Sequence, residues 1–363
     1  MRCEEQSGNG KRETGNVAST AADRDIGAFP VSHFSFPAAS RRSFLLTLAA
    51  LAACDPREFA RRHGAQVRLS VATGPTGGVY YVYGGGIAKI VSAYVPNVEA
   101  TAETTSASVD NLKLLRDGKV DLALTLATTA ADAASGRGAF ATFGRVPAAA
   151  IAVLYTQYTH LVTFARTGIA RLADLRGRVV ALGGPGSGTE DIAVRILRAS
   201  GLDPERDLRA QGLGVNAAAD ALRDGKIDAF FWSSGLPAGA LLDLASTPGR
   251  DMLLVPNDDA LDALQRQHGR GLYHRAIIPA GAYPGLERPV GTVATTTLLV
   301  VDRAMPEPLA YDITRALFEH RRELAAIHPE AENLTMRTAA AGAPIGYHPG
   351  AERAYREAGE WPR

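Results

Sequence analysis

Leu115-Arg116-Asp117-Gly118-Lys119-Val120-Asp121 returns 107 residues later as Leu222-Arg223-Asp224-Gly225-Lys226-Ile227-Asp228. Each copy runs into an apolar segment, 122–126 and 229–232. A helix stopped by a left-handed glycine, then a tight turn into a strand, has this pattern. Asp-Gly-Lys is a common turn, so one copy would mean little. Two copies, each about 40 residues after a Gly-Pro loop, indicate a duplicated unit.

Working outward, the first copy is preceded by an apolar strand at 67–72 and the loop Thr73-Gly74-Pro75-Thr76-Gly77-Gly78. Helical periodicity follows over 80–94, then a second strand at 98–104. A helix is expected over 108–117, with Ser108 as its N-cap and Gly118 as its stop. A third strand is expected at 120–126. The second copy repeats the order: strand 178–182, loop Gly183-Gly184-Pro185-Gly186-Ser187-Gly188-Thr189, helix 190–200, strand 208–214 and helix 217–224. Alternating strands and helices predict an α/β chain of two lobes, with a largely parallel sheet in each and a ligand cleft between them.

Composition limits the function. Apolar residues make up 46% of the 363 and charged residues 21%, as in a globular protein. The first 53 residues carry six of the 39 basic and five of the 38 acidic side chains, so the remainder balances at 33 of each. A neutral body gives no electrostatic case for nucleic acid. The two cysteines are Cys3 and Cys54, so the body has no disulfide framework. The histidines show no metal-ligand spacing, no Ser/His/Asp order stands out, and no cofactor motif is present.

The N-terminal segment reads as an address. Ser40-Arg41-Arg42-Ser43-Phe44-Leu45 precedes an apolar run of about ten residues, too short to span a bilayer and suited to an export signal of twin-arginine type. The run ends at Leu51-Ala52-Ala53-Cys54, which resembles a lipoprotein cleavage box with Cys54 as the lipidated residue. The expected organisation is a leader over 1–53, a tether over 54–66, a first lobe from 67–160 plus 296–363, and a second lobe over 161–295. The chain should leave the first lobe near 158–164 and return near 293–301. A helix over 307–324 should pack on the first lobe. The expected location is the periplasm or cell surface, lipid-anchored.

In parallel α/β sheets, ligands sit beyond the strand carboxyl ends, at helix N-termini. The two Gly-Pro loops occupy such places, with Thr76, Ser187 and Thr189 adding hydroxyls. Neither loop is a nucleotide P-loop or a dinucleotide fingerprint. Thr105 and Ser108 open another hydroxyl-rich helix start. Tyr80 follows the first loop, and Trp232 ends a strand of the second lobe, where it either faces a ligand or packs the core. Glu103 and Glu190 are the best enzymatic candidates, and both suit solvated or capping roles better.

Several blocks resemble the TAXI group of solute-binding proteins of tripartite ATP-independent periplasmic (TRAP) transporters. They are Thr73 through Tyr81, Ala102-Glu103-Thr104-Thr105 with Ser108-Val109-Asp110-Asn111-Leu112, Gly183 through Glu190, Leu222 through Phe231, Ile278 through Gly285, and His348-Pro349-Gly350. The resemblance implies a type II periplasmic-binding fold, no enzymatic activity, and a small anionic solute of the acidic amino acid or dicarboxylate class. It also implies TRAP permease subunits as partners. It places Thr76, Gly77, Tyr80, Ser187, Gly188 and Thr189 at the ligand loops. Relatives usually carry polar residues such as Gln-Ser after the third strand, whereas this chain has Leu126-Ala127-Thr128-Thr129, so glutamate specificity does not follow. The other readings are a transferase on the same bilobal fold, and a binding protein serving a sensor or an ATP-driven importer.

Overall fold

The computed structural model describes residues 66–249 and 251–362. The twin-arginine motif, the apolar run, Cys54 and the tether through residue 65 lie outside the described residues.

The duplicated unit is visible strand by strand. In the first copy, β1 (Val67–Ala72), β2 (Val98–Glu103) and β3 (Leu122–Leu126) pair parallel with β1 in the middle. In the second, β5 (Val179–Ala181), β6 (Arg209–Gln211) and β7 (Ala229–Ser234) pair parallel with β5 in the middle. Helices α1 (Val79–Tyr94) and α2 (Ser108–Arg116) belong to the first copy; α4 (Gly188–Ala199) and α5 (Val215–Arg223) are their counterparts. Between the copies run α3 (Ala127–Ser135) and β4 (Ala148–Phe164).

The sequence repeat has a hydrogen-bonding cause. Gly118 and Gly225 sit at φ 65° and 74°, where a Cβ is disfavoured, and each reverses the chain after its helix. The closing aspartates then do the same work. Asp121 Oδ2 accepts the Ser70 backbone N–H of β1 at 2.9 Å, and Asp228 Oδ2 accepts the Val179 N–H of β5 at 2.8 Å. Each carboxylate ties the start of its third strand to the middle strand and satisfies a backbone donor.

One sheet of ten strands runs through both lobes in the order β2-β1-β3-β10-β4-β7-β5-β6, where β10 is Val290–Asp302. Two more strands complete it: β8 (Met252–Leu254) on β4 and β9 (His274–Ile278) on β10. The long strands β4 and β10 join the lobes. β4 pairs antiparallel with β10 from Ala148 to Tyr158 and with β7 from Tyr158 onward, so its partner changes at Tyr158. Apolar clusters cover both sheet faces in each lobe: Tyr83, Leu317 and Tyr355 on one face of the first and Leu112 and Phe140 on the other, with Ile196 and Phe230 on opposite faces of the second. The result is the bilobal α/β architecture that the sequence predicts, with parallel pairing inside each duplicated unit as expected, but as one mixed sheet in which β4 and β10 pair antiparallel with all their neighbours. No helix among the described residues is long and apolar enough to cross a membrane.

Three expectations are corrected. The helix expected over 307–324 is two helices, Glu307–Glu319 and Arg321–Ile327, both packed on α1 of the first lobe. The break falls at His320, whose ring stacks on Tyr94 with centroids 3.3 Å apart and whose Nδ1 meets Glu323 at 3.2 Å. Ser108 is not an N-cap: Ala107, at φ 87°, holds that place. The Ser108 hydroxyl instead accepts the Leu126 N–H at 3.1 Å, linking α2 to the end of β3. Helix α4 begins at Gly188, two residues before the expected start, because Ser187 caps it by accepting the Glu190 N–H at 3.1 Å.

Candidate functional site

Four helices begin at one cavity. Its wall includes Gly78, Val79 and Tyr80 at the start of α1, Ala107 and Ser108 at the start of α2, Leu126 before α3, and Gly188 and Thr189 at the start of α4. Gly74 and Pro75 of the first loop and Trp232, Ser233 and Ser234 at the end of β7 complete it. The void is about 330 Å³, including the part continuous with solvent. No lining side chain is charged. Helix N-termini carry unpaired N–H groups and the positive end of the helix dipole, so this wall favours an anion without a cationic side chain.

Two wall residues have polar atoms with no protein partner. Trp232 Nε1 and Ser233 Oγ are buried and lack a hydrogen bond among the described residues. Buried donors of this kind are normally satisfied by something. On the opposite wall, the Tyr80 hydroxyl and Ser108 Oγ lie 3.5 Å apart. Burial pushes the Tyr80 phenol up to about 12, so it stays neutral and able to donate.

Of the residues expected at the ligand, Tyr80, Ser108, Gly188, Thr189 and Trp232 line the cavity. Trp232 is both a wall residue and part of the apolar core of the second lobe. Thr189 Oγ1 accepts the Ser233 N–H at 3.1 Å and so positions the end of β7. The other four lie beside the wall. Thr105 Oγ1 donates to Asn111 Oδ1 at 2.5 Å, and Asn111 Nδ2 donates to the carbonyls of Thr73 at 2.7 Å and Leu124 at 2.8 Å. This fully buried amide fixes the first loop against β3. Ser187 is occupied as the α4 cap, and Glu190 Oε2 accepts the Gly186 N–H at 3.0 Å, bracing the second loop.

Thr76 and Gly77 stand on the seam between the lobes. Gly77 O accepts the Ala240 N–H at 3.1 Å, and Thr76 Oγ1 accepts Asn216 Nδ2 at 3.4 Å. Elsewhere on the seam, Gly186 O accepts the Asp110 N–H at 3.1 Å and Glu330 Oε1 accepts the Leu236 N–H at 2.5 Å. A buried ion pair, Arg195 to Asp132, joins α4 to α3. Glycine makes the closest approach possible. A Cβ on Gly78 would stand 2.7 Å from Trp232 Cζ2; one on Gly188 would stand 2.6 Å from Leu126 Cδ1 and 2.7 Å from Ser108 Oγ. The lobes are closed on each other.

A neutral histidine supports the wall from behind. His160 Nδ1 lies 3.1 Å from both the Trp232 and Tyr158 carbonyls, so it carries the proton. His160 Nε2 then accepts from Tyr283 Oη at 3.0 Å, and Tyr283 in turn accepts the Ala238 N–H at 3.2 Å. Burial holds this histidine down at about 4, against the two carbonyls that favour protonation. Its folded pKa is below the unfolded value of about 6.5, so the unfolded state takes up the proton first. Its contribution is therefore present above pH 6.5 and fades as pH falls toward 4, by up to about 3 kcal/mol. In urea unfolding, the stability gap between wild type and His160→Asn should shrink over that interval. A constant gap would contradict this reading.

The sequence reading missed Ser233. Its signal was its place, at the end of β7 beside Trp232.

The model of the NMT1-like family matches residues 71–359 of this chain. Among solved structures, the periplasmic aliphatic sulphonate binding protein SsuA from Escherichia coli is 15% identical over 75% of this chain and 80% of its own, with a TM-score of 0.43. The binding protein component of an ABC phosphonate transporter from Pseudomonas aeruginosa is 11% identical over 73% and 79%, with a TM-score of 0.48. A putative L-cystine ABC transporter from Listeria monocytogenes is 15% identical over 72% and 94%, with a TM-score of 0.45.

Proposed function

The chain belongs to the NMT1-like family, and from that premise we propose that it is an extracytoplasmic solute-binding protein that closes on a small anion and delivers it to a TRAP permease. The observation that carries the reading is the convergence of four helix starts on one cavity without a charged side chain. Such a wall stabilises a negative charge through fixed backbone dipoles. Trp232 Nε1 and Ser233 Oγ would complete the hydrogen bonds to the ligand from the second lobe, and Tyr80 and Ser108 from the first. The export-type leader and the box ending at Cys54 fit a receptor tethered outside the cytoplasmic membrane.

The mechanism follows from the seam. Ligand bound between the loops bridges the two lobes and favours the closed form by its extra contacts there. Closure brings Gly77 to Ala240 and Gly186 to Asp110, and creates the surface a permease would recognise. No bond is made or broken.

A thermal-shift panel of organic acids and amino acids tests the reading, because bound ligand stabilises the folded state by mass action. An acid should raise the melting temperature while its uncharged methyl ester does not. If no acid in the panel shifts the protein, or the esters act equally well, the anion site is wrong. The resemblance places acidic amino acids and dicarboxylates first in that panel. Mass spectrometry of the membrane-bound form should find lipid on Cys54; an unmodified Cys54 there removes the anchor from the account.

A further inference from the structure

Donors dominate the polar part of the cavity wall. Val79 and Tyr80 open α1, Ser108 opens α2, and Gly188 and Thr189 open α4. All five line the cavity, and the leading N–H groups of a helix have no acceptor inside it. Trp232 Nε1 is a further donor, buried and without a partner among the described residues. The hydroxyl oxygens of the wall are less free to accept. Ser108 Oγ already accepts the Leu126 N–H, and Thr189 Oγ1 already accepts the Ser233 N–H, both at 3.1 Å. Each of these hydroxyls keeps its own proton to give. Such a wall matches a carboxylate, which only accepts. It gives an ammonium few oxygens to donate to and no lining carboxylate to pair with. A charge shut in without partners is costly.

The apolar part of the wall comes from both lobes. Pro75, Val79 and Leu126 stand on the first lobe, and the Trp232 ring stands on the second. Val79 and Leu126 are each 2% exposed. Leu126 Cδ1 reaches across the cleft to within 2.6 Å of where a Cβ on Gly188 would lie. The indole reaches the other way, its Cζ2 2.7 Å from where a Cβ on Gly78 would lie. Closure therefore sets two apolar side chains from opposite lobes against whatever the cavity holds, and hydrocarbon there is favoured by its removal from water. A second carboxylate in the same place would lose its water, and Leu126, Val79 and Pro75 have no side-chain donor to give it in return.

We infer that the solute is a simple monocarboxylate: one carboxylate on the helix starts and the indole N–H, a short apolar body against Leu126 and the Trp232 ring, and neither an ammonium nor a second charge. The inference rests on the anion site proposed above and narrows it. It makes Leu126 a specificity-determining residue. It moves simple carboxylic acids ahead of the dicarboxylates and acidic amino acids that the resemblance implies.

The test uses matched probes of three, four and five carbons on the purified full chain, titrated by calorimetry. In the four-carbon set these are butyrate, 2-aminobutyrate (which adds an ammonium) and succinate (which adds a carboxylate). Acetate serves as the head without a body. At the best length the simple acid should bind at least tenfold more tightly than its amino acid or diacid. Butyrate should exceed acetate about tenfold, from two more buried methylenes. Leu126→Asn should bring butyrate within about threefold of acetate while leaving acetate within about twofold of its wild-type affinity. Leu126→Ala should give an intermediate ratio. An amino acid or diacid that binds as tightly as the simple acid overturns the inference and leaves the anion site standing. A tenfold preference for butyrate over acetate that survives in both variants also overturns it. If no acid of any length binds, the anion site itself falls. Circular dichroism and urea unfolding of each variant show that a lost preference is not lost folding, and the wild-type comparison decides the matter if neither variant folds.

Discussion

Replacing Arg195 with Met is expected to lower stability by about 3–5 kcal/mol, the usual consequence of removing one partner from a buried ionic cluster. The Arg195 guanidinium donates to Asp191 Oδ1 through Nε at 3.1 Å and Nη2 at 2.8 Å, to the Tyr273 hydroxyl at 3.0 Å, and to Asp132. The arginine side chain is only 10% exposed. Without it, two carboxylates face each other where water reaches them poorly. Burial already raises the Asp191 carboxyl, and Arg195 is what opposes that rise. In the variant the folded state should therefore take up protons more readily than the unfolded state. Its deficit should be largest at pH 7 and should narrow as the pH falls toward 4. Asp132→Asn should cost less, because Arg195 keeps Asp191 and Tyr273. Urea unfolding at several pH values checks both statements, and a deficit in Arg195→Met that does not change with pH would contradict the cluster's charge accounting.

Gly188→Val should cost ligand affinity at least a hundredfold, about 2.7 kcal/mol, with little loss of folding stability. Its first added carbon would meet Leu126 and Ser108 across the cleft, so the lobes would stop short of the closed form. Gly85→Ala is the control. That position in α1 has no atom within 4 Å of an added Cβ, so the change should be neutral for binding and slightly favourable for the helix. Small-angle scattering should show Gly188→Val keeping the larger, open radius when ligand is added, while wild type contracts. Wild-type affinity in Gly188→Val would mean that the glycine loops are turns and not closure surfaces.

Much of the fold was legible because it was written twice. The Asp-Gly-Lys-x-Asp segments encode both a helix stop and a side-chain tie, Asp121 to Ser70 and Asp228 to Val179, so their recurrence located the third strand of each lobe. Edges were less legible. The expected strand 208–214 is only Arg209–Gln211, because an edge strand exposed to solvent has no apolar alternation to mark it. The break at His320 depends on stacking with Tyr94, 226 residues earlier, which no local pattern reveals.

The candidate site was legible where it sits on glycine-rich helix starts and obscure where it sits on strands. Tyr80, Ser108, Gly188, Thr189 and Trp232 could be chosen because each adjoins a predicted strand end or helix start. Thr76 and Ser187 looked like ligand hydroxyls by type, yet one meets Asn216 on the seam and the other caps α4. Hydroxyls at helix starts serve caps and ligands alike, and only the three-dimensional partner tells them apart. Ser233 escaped notice because a polar residue at the end of an apolar strand shows its importance only once its burial and lack of a partner are known.

Trp232 provides the most direct test of the proposed anion-binding cleft. The chain has two tryptophans, and the other, Trp361, packs against Tyr347 and Tyr355 beside the C-terminal helix. In a Trp361→Phe background, emission reports on the cavity wall alone. Titration with the organic acid that gives the largest thermal shift should change that emission saturably. The same acid's methyl ester should leave it unchanged, and Ser233→Ala should weaken the acid about tenfold or more. An emission change that the ester produces equally well, or saturable binding of the acid with no change at Trp232, would contradict an anion held between these loops.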